Sequence, residues 1–164
     1  MLKEHILSQF TRCFDKNGWF VALGNAIKDL TVKQAAWMPV DSVNCIWETL
    51  SHVTYYNHAY MQRFKGIAYE YDVTDNDQTF STGEYAESEW QADVARFNEV
   101  MTKFRLLIQA ADESKFDEPV PTKPERKWAE LLADINAHNA HHAGQIVLLR
   151  KLQQGAWDNG EGVS

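Results

Sequence analysis

The chain has 164 residues and is 45% hydrophobic, enough for one domain with its own core. Its 16 Lys plus Arg stand against 23 Asp plus Glu, a net charge of −7 with no basic stripe, which excludes a non-specific binder of nucleic acid or anionic membranes. Nowhere do 18 apolar residues run together, and Met1-Leu2-Lys3-Glu4-His5-Ile6 shows no leader-like apolar region, so the expectation is a cytoplasmic protein with reduced Cys13 and Cys45.

Apolar residues at Ile6, Phe10, Cys13, Phe14, Phe20, Leu23, Ile27 and Leu30 predict a first helix over Leu2 to Leu30, with Asn17-Gly18 as its weak point. Thr31 to Asp41 reads as a connection, and Ser42 as the N-cap of a second helix over Val43 to Phe64. The stripe of that helix is Ile46, Leu50, Val53, Asn57, Tyr60 and Phe64. His52 lies on a flank with Thr49 and Tyr56, so spacing leaves its direction open; His58 points the other way and is expected in solvent, like His5.

Lys65 to Gly83 is a 19-residue link, long enough to run the length of a helical bundle and return the chain parallel to the helix before it. It is expected to be a crossover, with a lid role as the lesser alternative. A third helix follows to Ala111, starting at Glu84 or Ser88. Its seam is Trp90, Val94, Phe97, Met101, Phe104, Ile108 and Ala111, and Ser88 with Gln91 suggests a capping box. Such a seam is core and carries no chemistry. Asp112 to Lys127 holds Pro119, Pro121 and Pro124 and cannot be helical throughout.

The last helix, Trp128 to Gln153 or Gln154, ends at Gly155 and carries apolar residues at Trp128, Leu131, Leu132, Ile135, Ile146, Leu149 and Leu152. His138 and His142 occupy the same stripe, four residues apart, where their ring nitrogens could meet on one ion. Two readings stand side by side. The histidines are core residues satisfied by hydrogen bonds, or they hold a metal that relieves two buried imidazoles at once. His141 points aside and reads as a flanking residue. No stretch alternates enough to suggest a sheet. The expected fold is all-α, a four-helix bundle of one domain over 1–154 with a short tail over 155–164.

Ser42-Val43-Asn44-Cys45-Ile46-Trp47-Glu48-Thr49-Leu50-Ser51-His52, followed by Tyr56-Asn57 and Arg63-Phe64, resembles the second-helix motif of the DinB/YfiT-like superfamily. His138-Asn139-Ala140-His141-His142-Ala143-Gly144-Gln145-Ile146-Val147 with Arg150-Lys151 resembles its fourth-helix motif. The resemblance implies up-down-down-up topology with long crossover connections, a homodimer, and a divalent metal held by His52, His138 and His142. His141 stands where many members have an aromatic residue.

Three neutral imidazoles leave a coordination position open, as in catalytic zinc sites, where bound water or a thiolate is activated. A zincin would have Glu between the paired histidines, and this chain has Asn139. No separate acid or base is assigned. Glu48, one turn before His52, is either a partner of that histidine or a surface carboxylate, and Gln145 either bonds a ligand or holds the helix to a neighbour. Trp47, Trp128 and the other tryptophans read as packing. Imidazole suits Zn, Ni, Cu and Fe alike, and the expected ion is Zn, Ni or Fe. The resemblance implies an enzyme, a metal-dependent thiol S-transferase or a hydrolase acting on a small molecule, with a low-molecular-weight thiol as candidate. The alternative is a non-catalytic metal-binding or stress-related protein.

Overall fold

The computed structural model describes residues 2–41 and 43–154. It is mostly helical: α1 spans Leu2–Phe14, α2 Leu23–Ala26, α3 Val32–Ala35, α4 Ile46–Phe64, α5 Glu87–Ala110 and α6 Trp128–Gln154. The four long helices close a ring of contacts, α4 packing on α5 and α6, and α1 packing on the same two. Among the described residues no helix is long and apolar enough to cross a membrane.

The expected first helix is broken at its weak point. After Phe14 the chain leaves helical geometry, and the Asn17 side chain accepts hydrogen bonds from the Ala22 backbone N–H and from Asn25. That short polar side chain offers the backbone an alternative to helical pairing. Leu23, Ile27 and Leu30 are still buried, now from α2 and the turns around it. The connection after Leu30 holds one more helical turn, α3, capped by Thr31 and Gln34 in a reciprocal box.

α4 begins at Ile46, and Ser42 lies outside the described residues. Its cap is Cys45: the Glu48 backbone N–H donates to Sγ at 3.4 Å, and the Cys45 N–H donates to the Glu48 carboxylate at 2.7 Å. That is a capping box with a thiol in the hydroxyl's place. The helix ends at Phe64 with Lys65 as its C-cap, and Gly66 takes a φ of +85°, where a side chain would be strained.

The α5 seam is core as expected, with Trp90, Phe97, Met101, Phe104 and Ile108 all at most 1% exposed. The capping box at Ser88 does not form. Ala86 occupies the N-cap, and Gln91 Nε2 donates to Glu87 instead. Between α5 and α6 a short hairpin pairs β1, Pro119–Val120, antiparallel with β2, Lys123–Lys127, which corrects the expectation of no sheet. A two-residue strand is too short to show alternation. On α6 Leu152 is 58% exposed, so the apolar stripe stops one turn earlier than expected; the predicted C-terminal glycine, Gly155, lies outside the described residues. Both cysteines are free and buried, and burial pushes their thiols up to about 12. Neither is a reactive thiolate.

Candidate metal centre

α6 sets two of the three imidazoles by its own period, since residues four apart on a helix lie one above the other. His138 and His142 have ring centroids 4.4 Å apart, and their Nε2 atoms are 3.1 Å apart. From α4, whose first turn is fixed by the Cys45–Glu48 box, His52 brings its Nε2 to 3.0 Å from that of His138. His52, His138 and His142 form the group able to share one ion among the described residues. In a tetrahedral zinc site with Zn–N near 2.0 to 2.1 Å, ligand nitrogens stand about 3.4 Å apart, close to the spacing seen.

The remaining ring nitrogens determine which tautomers are present. Thr79 Oγ1 donates its one hydrogen to the Asn76 carbonyl at 2.6 Å, so it faces His52 as an acceptor, and His52 Nδ1 donates to it at 2.6 Å. His142 Nδ1 donates to Gln145 Oε1 at 2.7 Å. With both Nδ1 atoms protonated, the Nε2 atoms of His52 and His142 are bare lone pairs aimed at the same point. A proton on His138 Nε2 can satisfy only one of them. One cation satisfies all three, and each ring already has the outer hydrogen bond typical of a metal-ligating imidazole or, for His138, a neighbouring amide in Asn139. The donor set fits a divalent transition metal.

Burial keeps the site neutral. It pulls His52 down to about 3, helped by the neighbouring His142 and His138 charges, and His142 down to about 4, helped by His138. His138 is lowered as well, again chiefly by burial. All three rings are therefore in the ligand form at neutral pH.

Around the histidines the walls are aromatic. The Phe80 ring stacks on His52 at 4.0 Å, and Tyr56 meets it edge-on at 5.0 Å. A cavity of about 550 Å³ adjoins the three rings, and its lining includes the apolar and aromatic Tyr56, Tyr60, Phe80, Leu131 and Ile135 and the polar Lys123, Arg126, Asp134 and His141. Arg126 donates to Asp134 at 2.6 Å. His141 is exposed, and its ring meets His142 edge-on at 5.1 Å.

Several residues left open by the sequence now have places. Gln145 bonds a site histidine, whereas Glu48 serves the α4 cap and does not touch His52. His58 is half-buried rather than solvated, its Nε2 accepting from Gln62 at 3.0 Å, while His5 is exposed. Trp47, Trp90 and Trp128 pack in the core as expected, but Trp19 is 89% exposed. The link after α4 is more than a connection: its 3-10 turn, Asn76–Phe80, packs on α4 and delivers Thr79 and Phe80 to His52. Sequence reasoning missed both. The available signal was Asp75-Asn76-Asp77-Gln78, where Asp75 caps the turn and Gln78 bonds back to the Asp75 N–H.

Helices around a three-histidine cluster, with His52 and His142 buried and His138 half-buried beside an aromatic cavity, define a helical protein with a candidate metal centre. The family model of the DinB superfamily matches residues 22–146, a span that includes all three histidines, and the chain belongs to that superfamily. No curated protein and no solved structure matches the chain.

Proposed function

We propose that the chain binds a divalent transition metal, Zn, Ni or Fe, through Nε2 of His52, His138 and His142, and that it is a metal-dependent enzyme acting on a small molecule. The observation that carries the reading is the convergence of three Nε2 atoms at 3.0 and 3.1 Å while two of the rings spend their only N–H on Thr79 and Gln145. Metal-free, that arrangement buries lone pairs against one another.

Bound there, the ion would supply Lewis acidity and lower the pKa of water or a thiol in its open position. The residues of the chain do the rest. Thr79 and Gln145 hold the rings, Phe80 covers one face of His52, and the Tyr56, Tyr60, Leu131 and Ile135 wall accepts an apolar portion of the substrate. Asn139 is fully buried and bonded to Asn57, so nothing in the zincin Glu position can act as a base. This favours thiol S-transfer with a low-molecular-weight thiol, or hydrolysis of a non-peptide substrate, over peptide cleavage.

The same reading includes an up-down-down-up four-helix bundle and a homodimer, both supported by membership of the superfamily. A non-catalytic metal-binding role is the second reading; the cavity beside the histidines favours catalysis.

Elemental analysis of tag-free protein purified without chelators tests the proposal, run beside His52→Ala and His138→Ala. Near-stoichiometric metal in the parent chain, lost in both variants, is the expected result. Folded protein without metal in all three returns the histidines to the core.

A further inference from the structure

Asn57 on α4 and Asn139 on α6 are 1% and 0% exposed, and they face each other across the junction of the two helices. Asn57 Nδ2 donates to Asn139 Oδ1 at 2.8 Å, and Asn139 Nδ2 donates back to Asn57 Oδ1 at 3.1 Å. Asn57 Nδ2 also donates to the Val53 carbonyl at 2.8 Å, which ties the amide to its own helix. Both bonds of the pair run between α4 and α6, one each way. Sliding or rotating either helix by a single residue would break both and leave two buried amides unmet.

The position of the pair in the sequence links it to the histidines. Asn139 lies between His138 and His142, and its amide also interacts with the His138 ring. Asn57 is five residues after His52 and contributes to the cavity wall. An apolar pair would bury as well here but would tolerate neighbouring registers. A buried polar pair that permits one register is the best-attested use of such groups at helix interfaces.

We propose that Asn57 and Asn139 are positioning residues that fix the register of α4 against α6, so that His52 meets the histidine pair of α6 at ligand spacing. The proposal rests on the metal reading above for its consequence, but the register itself is a property of the metal-free chain. The amides touch the ion in no step.

The test replaces both by an apolar pair of similar total volume, Asn57→Val with Asn139→Ala, in the full chain. Two measurements are made: zinc affinity by competition with a chromophoric chelator, and nuclear Overhauser contacts between the His52 ring and the His138 and His142 rings in metal-free protein. The expected result is a melting temperature near that of the parent, zinc affinity lower by about 10–100-fold, and weakened ring-to-ring contacts. Parental affinity and parental contacts would overturn the proposal, leaving the pair as ordinary core polarity. If the parent takes up no zinc, the metal reading fails, and the metal-free contacts still judge the register. Should the double variant fail to fold, Asn57→Ser is measured in the same two ways. Weakened contacts again support the proposal and unchanged contacts overturn it.

Discussion

The two sides of α4 are built on opposite rules. Toward α5 it meets a seam of Trp90, Phe97, Met101, Phe104 and Ile108, where the indole N–H groups are satisfied at the edge, Trp90 donating to the Leu30 carbonyl and Trp47 to Asp93 at 2.7 Å. Toward α6 its own His52 and Asn57 meet Asn139 and His142, all four at most 6% exposed. The apolar side needs only volume and tolerates rearrangement at modest cost. The polar side needs every partner in place, because each unmet group is penalised in full. Close packing and the candidate metal centre are thereby carried by different faces of one helix.

Substitutions on the two faces are expected to separate along that line. The largest effect on stability belongs to the apolar face: Phe104→Ala, which removes edge contacts to Phe10 and a tilted contact to Phe64, is expected to cost about 3–5 kcal/mol in denaturant unfolding while bound metal per folded chain is unchanged. The largest effect on metal belongs to the polar face. His142→Ala is expected to lose most metal by elemental analysis with little change in the stability of the metal-free chain; equal metal loadings would sink the assignment.

Next comes Thr79→Val, which keeps the volume and removes the acceptor for His52 Nδ1. Metal affinity is expected to fall by about tenfold, with the deficit absent in a His52→Ala background.

Acid provides an intermediate effect. His52 and His142 are held near about 3 and about 4 when folded but titrate at about 6.5 when unfolded, so below pH 6.5 the unfolded chain binds more protons. Stability from this source is complete above pH 6.5 and is lost as pH falls toward 4 and 3. A metal-free melting temperature that drops across that window in the parent, and drops less in His142→Ala, is the expected outcome. The smallest effect belongs to Glu48→Ala: about 1 kcal/mol from the lost capping bond, with metal affinity unaltered, which separates a cap from a partner of His52.

What was legible in the sequence follows the same division. Periodicity reported the apolar face of each helix, since Phe97, Met101 and Phe104 obey one rule over many turns, and it placed His138 and His142 together because a single helix sets their spacing. His52 was ambiguous from spacing because a flank position faces inward or outward according to the neighbour, and the neighbour is not in the helix. Thr79 and Phe80 were illegible as site residues for a related reason: they reach His52 from a link 27 and 28 residues downstream, through a turn whose capping residues, Asp75 and Gln78, signal local shape and nothing about destination. Cys45 was passed over as a cap because a thiol is an uncommon choice, although its spacing to Glu48 was that of a capping box. Asn57 fell on the stripe but its partner did not announce itself. A reciprocal amide pair is visible only when two helices are already side by side.

The turn over Asn76–Phe80 also has a thermodynamic consequence. It is held to α4 by the Thr79 hydrogen bond and the Phe80 stack on His52 and by Tyr56 to Asn76, and earlier in the link by Tyr55 to Asp72 and Arg63 to Tyr69 and Tyr71. Any free energy the turn contributes to holding His52 ready for an ion must be returned by the ion to the turn, because coupling between two binding events is reciprocal. Protease resistance of the segment over 65–83 is therefore expected to gauge site occupancy, rising as an ion is added and falling as a chelator withdraws it. A stretch of surface chain far longer than the histidine cluster would then report on whether three nitrogens have found their partner.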